Sequence, residues 1–179
     1  MTLQAARREL APEQPMAWEE YASRGDDVRG EYIDGCLVVT PFPSRRHQNA
    51  ARRLAGLLEQ HLPAGHDVVT AWGWKPGADE YGPDVMVHPR THEQARFTGT
   101  PLLCVEVLST NRADDLVRKA SKYARARLPQ YWVLDPLEPS LRMYALDDGA
   151  YRQVGVVAGR GEAPGWPGLV VDLDGLLAD

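Results

Sequence analysis

Apolar residues along the chain follow two kinds of spacing, and their order predicts an α/β domain. They recur every three or four positions in segments 44–62 and 114–127, which indicates helices with one buried face. They form short continuous runs in segments 66–74, 83–87, 102–108 and 130–135, which is typical of strands covered on both faces. The predicted order is therefore helix, three strands, helix, strand, around a mixed sheet.

A β-hairpin is predicted on each side of this core. The first spans residues 31–39, where Asp34-Gly35 supplies the positive φ of a tight turn. The second joins segments 140–146 and 151–157 around Asp147-Asp148-Gly149. Residues 1–15 are expected to be a loose arm and 16–23 a short helix, so a single domain is predicted over residues 16–179. Segment 169–178 fits either a strand or a short helix.

Composition agrees with one globular domain and indicates the cellular compartment that we expect for it. The chain has 179 residues, of which 44% are hydrophobic and 25% charged. No apolar run has the length of a membrane span, and the first residues lack the apolar stretch of a signal peptide. Two cysteines, Cys36 and Cys104, fit a reducing compartment. We therefore expect a cytoplasmic protein.

Charge is negative overall and uneven along the chain. The net charge of −5 argues against broad, strong attraction to nucleic acid. Segment 112–127 nevertheless carries six basic residues against two aspartates, and segment 44–62 carries four arginines against one glutamate. These stretches predict either solvated helix faces or two local phosphate-binding surfaces.

Two acidic residues inside apolar runs are the strongest chemical signal. Asp84 begins one predicted strand and Glu106 lies near the end of the next. Antiparallel pairing would bring the two carboxylates together, where their repulsion requires a cation. Hard oxygen ligands favour Mg²⁺ or Mn²⁺ over zinc. The alternative is a pair of strand-end acids that reach solvent or bind helix N-termini.

Lys119, Glu31 and His47 are further candidates. Lys119 borders the buried side of its helix, so its amine must either reach solvent or meet an anion such as Asp84, Glu106 or a substrate phosphate. Glu31 opens the first hairpin and is either an exposed edge charge or an additional acid of the site. His47 lies on the inner face of its helix, where a hydrogen-bonded core histidine is the common case.

Six short motifs occur in the order in which they stand in a known family. They are Glu31-Tyr32-Ile33-Asp34-Gly35, Pro43-Ser44-x-x-His47, Gly82-Pro83-Asp84-Val85, Val105-Glu106-Val107-Leu108-Ser109, Asp115-x-x-x-Lys119-x-x-x-Tyr123 and Pro129-x-Tyr131-Trp132-x-x-Asp135-Pro136. Together they resemble the Uma-two-type endonuclease family of the restriction-endonuclease-like PD-(D/E)XK superfamily. The resemblance spans about residues 31–151. One departure is Arg127, where the family usually has glycine.

The resemblance implies metal-dependent cleavage of DNA phosphodiester bonds. It implies that Asp84 and Glu106 bind Mg²⁺ (or Mn²⁺) and that the backbone carbonyl of Val107 adds a ligand. The superfamily's plain motif has lysine two residues after the glutamate, but Leu108 stands there in this chain. The family resemblance places that lysine at Lys119 and puts Glu31 in or beside the metal shell.

Two rival functions stay open. One is a catalytically weak or silent member of the fold that acts as a DNA-binding or assembly module, which the negative net charge favours slightly. The other is a metal-dependent phosphodiesterase that acts on RNA or nucleotides. A homodimer is also expected, because Tyr144 and Tyr151 of the second hairpin suggest an exposed partner surface and duplex cutting needs two sites.

Overall fold

The chain folds around one mixed sheet with helices on both faces. The computed structural model describes residues 13–25, 30–39, 42–109 and 113–178, leaving out the side chains of 113–115. The helices are α1 (Trp18–Ser23), α2 (Arg45–Glu59), α3 (Ala113–Arg125) and α4 (Leu173–Leu177). The strands are β1 (Glu13–Pro15), β2 (Gly30–Ile33), β3 (Cys36–Val39), β4 (His66–Thr70), β5 (Val85–Pro89), β6 (Leu103–Val107), β7 (Gln130–Asp135), β8 (Ser140–Asp147), β9 (Ala150–Val157), β10 (Arg160–Glu162) and β11 (Val170–Asp172).

The central sheet has six strands in the order β4-β5-β6-β7-β8-β9. Strands β6 and β7 are parallel, with α3 as the crossover between them, and the other neighbouring pairs are antiparallel. The predicted core of helix, three strands, helix, strand is therefore confirmed, as is its mixed sheet. The second predicted hairpin, β8-β9, extends this sheet at one edge.

The first hairpin belongs to a separate small sheet with the order β1-β3-β2. Asp34 and Gly35 both have positive φ, at 53° and 77°, which confirms the predicted tight turn. The expectation of a loose arm is wrong for Glu13–Pro15, because these residues pair with β3 as strand β1. Residues 1–12 lie outside the described part of the chain.

Alternation along the strands divides the core into two clusters. Val85, Val87, Val105 and Val107 pack with the apolar face of α2 and with α4. The intervening side chains point to the opposite face, where α3 covers an aromatic-rich cluster made mainly of Trp74, Tyr81, Met86, Cys104, Tyr123, Tyr131 and Val133. Because Glu106 has the same parity as Cys104, it lies on the face that α3 covers.

The bounds of α2 and α3 follow from local capping. Ser44, the first residue of the predicted helical segment 44–62, caps α2 by accepting a hydrogen bond from the backbone N–H of His47. Helix α3 begins at Ala113, one residue before the predicted segment 114–127. The helix was expected to reach Arg127 but ends at Arg125.

Arg127 adopts the left-handed backbone conformation. At this position the family usually has glycine. The φ of Arg127 is 58°, which costs a non-glycine residue roughly 1 kcal/mol. The N–H of Leu128 donates to the carbonyl of Tyr123 and that of Arg127 to the carbonyl of Ala124, which is the Schellman pattern. Leu128 and Tyr123 are both fully buried, so their packing offsets the strain.

The C-terminal region bears on two further expectations, while the homodimer stays a prediction. Segment 169–178 contains both of the alternatives, since strand β11 runs directly into helix α4. Tyr144 and Tyr151, expected on an exposed partner surface, are instead half-buried and pack against the ring of Tyr131. Among the described residues, no helix is long and apolar enough to span a membrane.

Candidate active site

The two acidic residues singled out in the sequence lie at the same end of neighbouring strands. Strands β5 and β6 are antiparallel, with Val85 opposite Val105, so Asp84 stands beside the C-terminal end of β6. The backbone N–H of Val107 donates to Oδ2 of Asp84 at 2.7 Å. The predicted pairing is thus confirmed, and it brings Asp84 next to the residue that follows Glu106.

Glu106 is buried, and each of its carboxylate oxygens has a hydrogen-bond donor. The Lys119 ammonium lies 3.0 Å from Oε2, and the Tyr123 hydroxyl donates to Oε1 at 2.7 Å. Lys119 is only 1% exposed. Of the two predicted alternatives, its amine therefore meets anions and does not reach solvent. Helix α3 supplies both donors, since residues four apart share one helix face.

Glu31 joins the same buried cluster from the N-terminal sheet. Its Oε1 lies 3.0 Å from the Lys119 ammonium and accepts a hydrogen bond from the backbone N–H of Gly82 at 2.7 Å. Glu31 is 4% exposed, which excludes the alternative of an exposed edge charge. Among the described residues, its other oxygen, Oε2, is buried without a hydrogen-bond partner. Such an oxygen is costly unless a cation or water meets it.

His47 connects helix α2 to the other acid. Its Nε2 lies 3.2 Å from Oδ2 of Asp84, the same oxygen that accepts from Val107. The Ser44 cap fixes the first turn of α2 and thereby the position of the imidazole. His47 is therefore a buried, hydrogen-bonded histidine whose partner is a candidate metal ligand.

Burial dominates the electrostatics of Glu106. Burial, together with the negative charges of Asp84 and Glu31, raises the pKa of Glu106 to about 7, although Lys119 acts in the opposite direction. Burial, reinforced by the neighbouring charge of Glu106, also raises the pKa of the Tyr123 hydroxyl well above its usual value. Tyr123 therefore stays a hydrogen-bond donor at neutral pH.

The donor set fits a hard divalent cation that keeps several of its waters. The described residues contain no group of three or more histidine, cysteine or acidic side chains placed to hold a metal ion. Asp84 and Glu106 stay the predicted side-chain ligands, and two carboxylates suit Mg²⁺, which is commonly bound by one or two carboxylates plus water. Each Glu106 oxygen keeps a second lone pair besides the one that accepts a hydrogen bond, whereas Oδ2 of Asp84 already faces both the Val107 N–H and Nε2 of His47. The Val107 carbonyl as a ligand stays a prediction.

One residue that contacts Glu106 was not predicted as part of the site. Tyr123 belongs to the motif Asp115-x-x-x-Lys119-x-x-x-Tyr123, but no role in the site is predicted for it. Its position four residues after Lys119 on the same helix face is the signal that could have found it. Its partner on β6 is not visible in the sequence, because the contact depends on how α3 lies across the sheet.

Comparison with known proteins agrees with this architecture. A solved structure described as a "putative nuclease belonging to DUF820" from Anabaena variabilis ATCC 29413 superposes with a TM-score of 0.75. The two chains are 16% identical, and the match covers 91% of this chain and 98% of the other, so the likeness shows the fold. No curated protein matches the chain. The model of the Uma2 family, described as "Putative restriction endonuclease", matches residues 13–174. The chain therefore belongs to the Uma2 family of restriction-endonuclease-like nucleases.

Proposed function

We propose that this protein is a Mg²⁺- or Mn²⁺-dependent endonuclease that hydrolyses phosphodiester bonds in DNA. The observation that carries the proposal is the convergence of Asp84, Glu106 and Lys119 from three separate segments of the chain. Two carboxylates can hold a divalent metal ion, and a lysine beside them can stabilise charge on a phosphate. Membership of a nuclease family supports the reaction class.

Each residue has a role that follows from its surroundings. Asp84 and Glu106 would hold the divalent cation, which supplies Lewis-acid chemistry by offsetting phosphate charge and making an attacking water more acidic. Lys119 would orient that water or stabilise the charge that develops on the phosphate. Glu31 would hold the Lys119 amine together with Glu106. The substrate phosphate would approach from the side of Asp84, because Asp84 is more exposed than Glu106.

The test is nicking of supercoiled plasmid by purified protein, with Mg²⁺ or Mn²⁺ and with a chelator. We expect nicking that requires the metal and that falls by about 10²-fold or more in Glu106→Gln. Glutamine retains the size of the side chain and can still accept from Tyr123, so folding should be preserved. RNA and a small phosphodiester in parallel reactions separate a DNA nuclease from a broader phosphodiesterase.

A matched control is available in Glu80. It is also a buried glutamate, paired with Arg96 and with the Tyr21 hydroxyl, and it lies outside the Asp84–Glu106 cluster. Glu80→Gln should therefore retain nicking when compared at equal amounts of folded protein. Equal activity in wild type and Glu106→Gln would exclude Glu106 from the mechanism.

A second candidate function is a catalytically silent member of the family that binds DNA or assembles with partners. The observation that favours it is that Lys119 already compensates Glu106 and Glu31. Calorimetric titration with Mn²⁺ separates the two candidates. A nuclease should show saturable binding that Glu106→Gln weakens, whereas a silent member should show no binding that depends on Glu106.

A further inference from the structure

Several basic side chains in the described part of the chain are already paired with groups of the protein itself. On α3, Arg118 pairs with Glu13 and Asp34, and Lys122 pairs with Asp34 and Asp79. These were among the residues that gave segment 112–127 its predicted phosphate-binding character. Because their charges are neutralised within the fold, Arg118 and Lys122 are poorly suited to bind DNA phosphates.

The first turn of α2 has the opposite character. Arg45 and Arg46 are exposed, and among the described residues neither guanidinium has a hydrogen-bond or ion-pair partner. No acidic residue lies in this turn. Their charges are therefore available to a ligand.

This turn also lies beside the candidate active site. The residue that follows Arg46 is His47, whose Nε2 lies 3.2 Å from Asp84. Side chains in a helix lean towards its N-terminus, so the two arginines extend past the end of α2 at which Asp84 is held. An anionic polymer with one phosphate over Asp84 would place neighbouring phosphates within reach of both guanidinium groups.

We propose that Arg45 and Arg46 bind the backbone phosphates that flank the scissile phosphate. This rests on the proposed nuclease function and specifies how a chain with a net charge of −5 holds its polyanionic substrate. The attraction is local, confined to one turn of one helix, and does not come from the field of the whole protein. Arginine suits the task because its planar guanidinium forms paired hydrogen bonds to phosphate oxygens.

The experiment measures binding of a fluorescein-labelled DNA duplex by anisotropy in chelator, over a series of salt concentrations. The variants are the double substitution Arg45→Gln/Arg46→Gln and a control of equal charge change, Arg52→Gln/Arg160→Gln. Arg52 and Arg160 are also exposed, and among the described residues they have no pairing partner. Arg52 lies about 9 Å farther along α2 than Arg46, and Arg160 is on the separate strand β10.

Removing two phosphate contacts should reduce the slope of log affinity against log salt by about 2. The control variant should keep the wild-type slope, and both variants should keep the wild-type unfolding midpoint because all four substituted side chains are exposed. An unchanged slope in Arg45→Gln/Arg46→Gln, or an equal loss in the control, would overturn the proposal. If that happens while wild type still nicks plasmid with Mn²⁺, the nuclease function stands and only the surface is wrong. Wild type that neither binds nor nicks DNA would overturn both.

Discussion

Asp84 and Glu106 belong to one candidate site, yet their surroundings differ sharply. Glu106 lies under α3, where Lys119 and Tyr123 contact both of its oxygens and almost no surface is exposed. Asp84 lies at the end of α2, where its side chain is 17% exposed and its described partners are His47 and a backbone N–H. The comparison teaches that one half of the site is built into the core, while the other half remains accessible to substrate.

The largest expected effect is a loss of stability when the buried half of the site loses its cation. Lys119→Met removes the cation that compensates Glu106 and Glu31, so both carboxylates lose their charge partner in the core. Breaking a buried ion pair from one side costs about 3–5 kcal/mol, and we expect that loss in the free energy of unfolding measured in urea.

Lys122→Met is the control, because Lys122 is on the same helix and also has two acidic partners, but its network is more exposed. We expect it to lose about 1 kcal/mol or less. Equal losses in the two variants would contradict the claim that the Lys119 cluster is the buried, tightly coupled half.

The next prediction concerns the accessible half. Asp84→Asn keeps an oxygen that can accept from the Val107 N–H but removes the negative charge. We expect the free energy of unfolding to change by less than about 1 kcal/mol, while metal-dependent nicking falls by about 10²-fold or more. A variant that loses stability and activity in proportion would show that Asp84 is also mainly structural.

Tyr123→Phe sharpens the description of the buried half. The variant keeps the ring among Trp74, Tyr81 and Tyr131 but removes the hydroxyl that donates to Glu106. Losing a buried hydrogen bond to a charged group should cost about 1–3 kcal/mol of unfolding free energy. Mn²⁺ affinity, measured by calorimetry, should also change, since the carboxylate loses its orientation.

The control for this prediction is Tyr151→Phe. Its hydroxyl donates to the carbonyl of Leu128 on the same face of the sheet, with no contact to Glu106. Stability should fall modestly and Mn²⁺ affinity should stay at the wild-type value. If both tyrosine variants change Mn²⁺ affinity alike, Tyr123 has no special role in positioning Glu106.

The smallest expected effect is a pH dependence in the contact between α3 and the N-terminal sheet. Burial tends to raise the pKa of Asp79, but hydrogen bonds from Asp34 N–H, Lys122 and Tyr81 outweigh it and lower that pKa below its usual value. A lowered pKa in the folded state stabilises the protein above the unfolded-state pKa near 4. That contribution is lost as pH falls through the lower folded-state value.

Asp79→Asn should therefore remove a small part of the acid sensitivity of the urea midpoint, by a few tenths of a kcal/mol. Asp147→Asn, in the exposed pair with Arg152, is the control. An acid transition that is unchanged by Asp79→Asn would exclude Asp79 from this contact.

Much of the fold followed from local patterns in the sequence. Apolar spacing gave the order of elements, and the Asp34-Gly35 and Ser44 signals gave a turn and a helix start that the structure confirms. The errors fell where non-local pairing decides the outcome. Strand β1 forms because it pairs with the edge of β3, which is distant from it in the sequence.

The candidate site was predictable in its residues but not in its contacts. Acids in apolar runs cannot stay buried without partners, and that reasoning selected Asp84 and Glu106. The pairing of Lys119 with two glutamates, and of His47 with Asp84, depends on how the helices lie across the sheet. The neutralisation of Arg118 and Lys122 by Glu13, Asp34 and Asp79 was likewise invisible to counts of charge along the chain.

The most direct test of the account is a crystal of the protein soaked in Mn²⁺ and examined by anomalous diffraction. The account predicts a peak at about 2.0–2.3 Å from carboxylate oxygens of both Asp84 and Glu106, with Lys119 still against Glu106. A crystal with no peak between these two carboxylates, at a Mn²⁺ concentration that supports plasmid nicking in solution, would contradict it.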